Sequence, residues 1–90
     1  MTGEKLALSD HARRQAARRG LDEEEVLQVA RAPDQVIRIG ERREVRQSRR
    51  AVAPDGKEYL IRVIVDVTSE QATVITAYRT SKIEKYWRPR

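Results

Sequence analysis

Ninety residues, with nineteen basic and fourteen acidic side chains and a formal net charge of +5, make one domain (1–90) with no room for a second catalytic or regulatory unit. Zero Cys excludes a disulfide framework, a thiolate nucleophile and thiolate metal sites, and a single His (His11) excludes a multi-histidine centre, so neither metal nor cofactor is expected. With no Phe and one Trp the core must be aliphatic, yet the longest aliphatic run, Val63-Ile64-Val65, is far short of the roughly 20 residues that span a bilayer.

No apolar leader follows Thr2-Gly3-Glu4-Lys5, so a cytoplasmic protein with no membrane partner is expected. Residues 9–19 read as a first helix. Ser9 or Asp10 caps it, and Gly20 stands where a left-handed C-terminal residue is wanted. Its apolar side is only Ala12, Ala16 and Ala17, small enough to lie close to a neighbour. A second helix starts at Asp22, with Glu25 completing a capping box and Leu21 and Val26 placed as a hydrophobic staple. Glu23, Glu24 and Glu25 sit on the positive end of the helix dipole, which accounts for the acidic triplet without a metal. Val26, Leu27, Val29 and Ala30 supply its buried face, and Pro33 marks its end.

From residue 35 the apolar period changes to two. Gln35–Gly40 is a first strand, and Glu44–Ala53 is a polar one. Asp55-Gly56 is a hairpin turn signal. In Glu58–Thr68, residues Tyr59, Ile61, Val63, Val65 and Val67 share one face, and Leu60, Arg62, Ile64 and Asp66 the other. Ser69-Glu70-Gln71 turns the chain into a last strand, Ala72–Tyr78, and Ser81–Trp87 is compatible with a final helical turn. The expected architecture is α+β: two N-terminal helices packed on one face of a four-stranded antiparallel β-meander.

The charge is uneven. Residues 1–45 carry nine basic and nine acidic side chains, and residues 46–90 carry ten and five, so the second half supplies the whole excess. Fifteen of the nineteen cations are Arg, whose planar fork suits a phosphate polyanion. Arg43, Arg46, Arg49 and Arg50 lie on or beside the polar strand, either as protection of a sheet edge or as a phosphate-tracking strip.

His11 is the one side chain whose ordinary pKa lies near neutrality, and thus a candidate general base or acid. Alternation puts Thr76, Tyr78 and Thr80 on one side of the last strand, with Ile75 and Ala77 left to fill the core. This hydroxyl row, with Arg62, Arg79 and Lys82 to supply cations, has the composition of a phosphate holder. Tyr86 and Trp87 near the end of the chain either pack on the sheet or stack on bases.

Two stretches carry a family resemblance. His11-Ala12-Arg13-Arg14 followed by Arg18-Arg19-Gly20-Leu21-Asp22-Glu23-Glu24-Glu25-Val26 is one. Val74-Ile75-Thr76-Ala77-Tyr78-Arg79-Thr80-Ser81-Lys82 with Lys85-Tyr86-Trp87 is the other. Together they resemble the ends of the family catalogued as domain of unknown function 4258, over a core of residues 6–87, and the family looks related to RelE/ParE-like toxins and the barnase–EndoU–colicin–RelE nuclease fold. The resemblance implies a metal-independent endoribonuclease of toxin type, with His11, Arg19, Thr76, Tyr78 and Thr80 as its patterned catalytic positions. Arg46, Arg49, Arg62, Arg79 and Lys82 are then the expected RNA contacts, and the implied partners are RNA and an acidic cognate antitoxin. The alternatives are a non-catalytic module that binds nucleic acid or protein, and a ParE-like toxin acting on a protein target.

Overall fold

The computed structural model describes residues 5–52, 56–68 and 70–89. Within them the elements run β1 (Lys5–Leu8), α1 (Asp10–Arg18), α2 (Glu23–Arg31), β2 (Gln35–Arg38), β3 (Arg43–Val52), β4 (Lys57–Val67), β5 (Gln71–Thr80) and α3 (Ile83–Tyr86). The strands form one mixed sheet in the order β1-β5-β4-β3-β2, with β1 parallel to β5 and every other pair antiparallel. This corrects the expected four-stranded meander with two helices: the sheet has a fifth strand, and a third helix follows it. Strand β1 is four residues long with no polar alternation to announce it, and it exists because β5 offers Gln71–Val74 as a parallel template.

Local chemistry sets the helix ends. The Ser9 hydroxyl accepts from the Ala12 amide at 3.0 Å, and Asp22 caps α2 through the Glu24 amide at 3.4 Å. Gly20 takes φ +70° just past α1, the left-handed position that lets the chain turn into α2. Gly56 takes φ +72°; its expected turn partner Asp55, like Ser69 of the next turn, lies outside the described residues.

Helices α1 and α2 cover one face of the sheet. The main core joins Ala12, Ala16, Leu21, Val26, Val29 and Ala30 to Ile61, Val63, Val65, Ala72, Val74 and Ala77. The two buried alanines bring α1 close to β5.

Three further expectations change. Strand β3 lies between β2 and β4 only as far as Gln47, so protection of a sheet edge does not explain Arg46, while Arg49 and Arg50 lie on the stretch that has a strand on one side only. Ile75 is not a core residue. Ile64 pairs with Thr76 and Val65 with Val74, which leaves Ile75 as the extra residue of a β-bulge, and the core continues from Val74 to Ala77. Finally, the open face of the sheet is not bare, because the chain after β5 folds back across it.

Candidate functional site

The sheet brings the chemistry of the chain to two adjoining places, the free edge of β5 and the open face beside it. Strand β1 pairs with β5 only through Val74, so residues 75–80 of β5 have no strand on their outer side. Helix α1 shields this stretch with polar side chains. The Thr76 hydroxyl donates to Gln15 Oε1, and Arg19 Nη1 donates to the Ala77 carbonyl at 2.7 Å. Gln15 and Arg19 are four residues apart, hence on one flank of the helix, and His11 is four residues before Gln15 on the same flank. One helical turn, about 6 Å along the axis, therefore separates the position of the exposed imidazole from that of the amide bonded to Thr76.

The open face is organised around Gln47 and Arg62. In register, Gln47 of β3, Arg62 of β4 and Tyr78 of β5 stand side by side. Gln47 is fully buried. Its Oε1 accepts from Arg62 Nε at 2.9 Å, and its Nε2 donates to Gln35 Oε1 at 2.8 Å and to the Tyr86 carbonyl at 3.1 Å. Arg62 Nη1 donates to the Tyr78 hydroxyl at 2.7 Å. The Arg62 guanidinium lies 4.1 Å from the Tyr86 ring centroid and 5.8 Å from that of Tyr78, and the two rings meet edge to face at 6.5 Å. Two of its nitrogens are thus committed and its plane is fixed between aromatic rings, a pre-organised cation on an apolar bed.

The C-terminal segment is tied over this face by backbone bonds. Gln35 Nε2 donates to the Arg88 carbonyl at 2.6 Å, and the Arg88 amide donates back to Gln35 Oε1 at 3.1 Å. Arg49 extends the cation–aromatic row, with its guanidinium 5.1 Å from the Trp87 ring and 2.7 Å from Glu58 Oε1. That hydrogen bond is the main cause holding the Arg49 pKa above its ordinary value, ahead of the burial that would lower it and of the charges of Glu58 and Asp34.

The expected site residues fall into three places. His11, Arg19 and Thr76 meet α1 and the edge of β5. Tyr78, Arg62 and Arg49 belong to the open face. Thr80 turns toward the tail, its hydroxyl accepting from the Lys82 amide at 3.1 Å, and Lys82 itself is exposed beside Trp87. The hydroxyl row is therefore divided, with Thr76 bonded to the helix and Tyr78 to Arg62. Two of the expected RNA contacts are not on this surface. Arg46 lies beneath the helices, 7% exposed, donating through Nη1 to the Ala30 carbonyl at 2.7 Å and through Nε to Glu44 at 2.9 Å. Arg79 is in register with Ile61 on the helix-covered face and lies over the Tyr59 ring at 5.4 Å. Gln15, Gln35 and Gln47 were absent from the expected set. Neutral amides give no charge signal, and only the packed structure reveals that Gln15 holds Thr76, Gln47 holds Arg62 and Gln35 holds the backbone of Arg88.

Among the described residues no group of three His, Cys, Asp or Glu side chains is placed to hold a metal ion, and no helix is long and apolar enough to cross a membrane. A family model, the domain of unknown function DUF4258, matches residues 8–79. No curated protein and no solved structure matches the chain.

Proposed function

The chain belongs to the DUF4258 family, and from that premise we propose that it is a metal-independent endoribonuclease that cleaves RNA through the RNA's own 2′-hydroxyl. The observation that carries the reading is the docking of the His11 flank of α1 along the free edge of β5, through Gln15 to Thr76 and Arg19 to Ala77. An exposed histidine on the helix flank that meets this strand edge, one turn from the amide bonded to Thr76, supplies the kind of group that proton transfer in phosphodiester cleavage needs.

In the proposed reaction His11 takes the 2′-proton as the 2′-oxygen attacks phosphorus. The bond from phosphorus to the 5′-oxygen breaks, giving a 2′,3′-cyclic phosphate and a 5′-hydroxyl. Arg19 at the strand edge and Arg62 on the adjoining open face meet the developing phosphorane charge, and Thr76 orients one of its oxygens. Tyr78 is suited to protonate the leaving 5′-oxygen. Its oxygen already accepts from Arg62, so its own O–H is free to donate. On this reading the relation extends to RelE/ParE-like toxins, with an acidic antitoxin as the protein partner.

The test is incubation of purified protein with RNA in EDTA, with the product ends analysed, beside His11→Ala. Cyclic-phosphate ends from the parent protein and a loss of roughly 10²-fold or more in the variant are expected. Equal cleavage by both proteins, or none by either, sinks the mechanism.

A second reading, a non-catalytic single-stranded nucleic-acid binder, is favoured by the Arg62–Tyr78–Tyr86 and Arg49–Trp87 contacts. Salt-steep binding without product identifies it.

A further inference from the structure

Between the C-terminal segment and the sheet lies an open groove of about 800 Å³ with Arg49, Lys82, Ile83, Trp87 and Pro89 on its walls. We infer that this groove is a nucleotide subsite, in which one base of a single-stranded RNA lies against Trp87 and the neighbouring phosphate meets Lys82 and Arg49. The inference rests on the proposal that RNA is the substrate, and it assigns that RNA a place away from the reacting phosphodiester.

Three features carry it. First, the groove is built rather than left by a loose tail. The carbonyl of Tyr86 and both backbone polar groups of Arg88 are bonded to Gln47 and Gln35 of the sheet, which fixes the Trp87 backbone between them. Pre-ordering spares the entropy of arranging the ring when a ligand arrives. Second, the charge balance favours an anion, with Arg49, Lys82 and Lys85 lining the groove against Glu84 and the Glu58 that pairs with Arg49. Arg49 is held in place by Glu58, whereas the Lys82 ammonium is exposed and takes no partner among the described residues, so it is free for a phosphate. Third, the walls offer a half-buried indole beside Ile83 and Pro89, an apolar surface suited to the flat face of a base. The volume lies within the roughly 300–1,000 Å³ of small-ligand sites. An acidic peptide would use the cations and leave the ring idle, which makes a base with its phosphate the better match.

Trp87 is the only tryptophan in the chain, so its emission reports this groove alone. His11→Ala protein in EDTA is titrated with a short single-stranded RNA, with Trp87 emission and the anisotropy of labelled RNA both followed. Cleavage by the parent protein is scored separately. Saturable quenching that weakens about tenfold with Lys82→Glu, at an exposed position that leaves the fold intact, supports the subsite. The same variant should lower the salt slope by about one. RNA binding seen by anisotropy with no change in emission overturns the subsite and leaves the RNA proposal standing. Quenching without cleavage by the parent protein supports the subsite and overturns the nuclease. Equal quenching by polyglutamate overturns the subsite in favour of a general anion patch, and no binding by either readout overturns it as well.

Discussion

Replacing Gln47 by leucine removes the joint between the sheet and the C-terminal segment without opening a large cavity. The side-chain amide makes two neutral hydrogen bonds, to Gln35 and to the Tyr86 carbonyl, and accepts one from the charged Arg62. Neutral bonds contribute about 0.5–1.5 kcal/mol each and a bond to a charged group about 1.5–3 kcal/mol, a gross loss of about 2.5–6 kcal/mol. Leucine recovers part of this through apolar packing at a fully buried position, so the expected destabilisation is about 2–4 kcal/mol. A chain of this length has about 5–13 kcal/mol in total, so the variant still folds, with a melting temperature lower by roughly 10–25 °C. Urea titration followed by circular dichroism measures the global loss, and Trp87 emission reports whether the tail lifts in native buffer. Gln47→Glu separates the two jobs of this amide. A carboxylate still accepts from Arg62 but cannot donate to Gln35 or Tyr86, so the tail loosens while Arg62 stays aligned. If Gln47→Leu lies within about 0.5 kcal/mol of the parent and leaves Trp87 emission unchanged, the network does not organise this face, and the pre-ordered groove loses its foundation.

Other substitutions probe the frame. Gly20→Ala should cost about 1–2 kcal/mol by chemical denaturation, a purely conformational effect, because the residue has φ +70° and an added Cβ meets nothing within 4 Å. Ser9→Ala should cost about 1 kcal/mol through loss of the cap on α1, read in the same assay. Ala16→Leu, at a position 2% exposed against β5, should cost about 1–3 kcal/mol by overpacking and should reduce RNA cleavage as well, since it pushes the His11 flank away from the strand edge. Glu58→Gln should leave stability flat with pH around neutrality. A guanidinium whose pKa is raised on folding contributes stability that is complete below its ordinary pKa and is lost only as pH rises through the higher folded value, far above the measured range.

Where one physical signal dominated, the fold was legible in the residues. The caps at Ser9 and Asp22, the turn at Gly20 and the alternation of Ile61, Val63 and Val65 all act locally and are seen in the structure. What escaped depends on neighbours far along the chain. The four residues of β1 become a strand only beside β5. The bulge at Ile75 arises because register must slip between Ile64 and Val65. On β3, consecutive burial of Arg46, Gln47 and Ser48 contradicts any alternating pattern, because both faces of that strand are in use. Arg46 closes the end of α2, Gln47 holds Arg62 and the tail, and Ser48 accepts from the Asp34 amide at 3.0 Å.

The same distinction governs the candidate site. Charged and aromatic residues announce themselves by type, so Arg49, Arg62, Tyr78, Lys82 and Trp87 stand out in the sequence, but type does not say which way a guanidinium faces. Arg46 and Arg62 are chemically equal until β3 and β4 are paired. Arg46 then lies against Val63 on the helix side, and Arg62 lies against Gln47 on the open side. The neutral amides make the difference, since each can accept from a cation while donating to a carbonyl, and Gln47 does both. Exchanging the two roles would require moving α2 to the other face of the sheet. The surface at which a phosphodiester could meet Arg62 is therefore set by the helix packing of the core, and a variant that weakens α2 packing, such as Val29→Ala, should reduce RNA affinity in proportion to the unfolded fraction and no further.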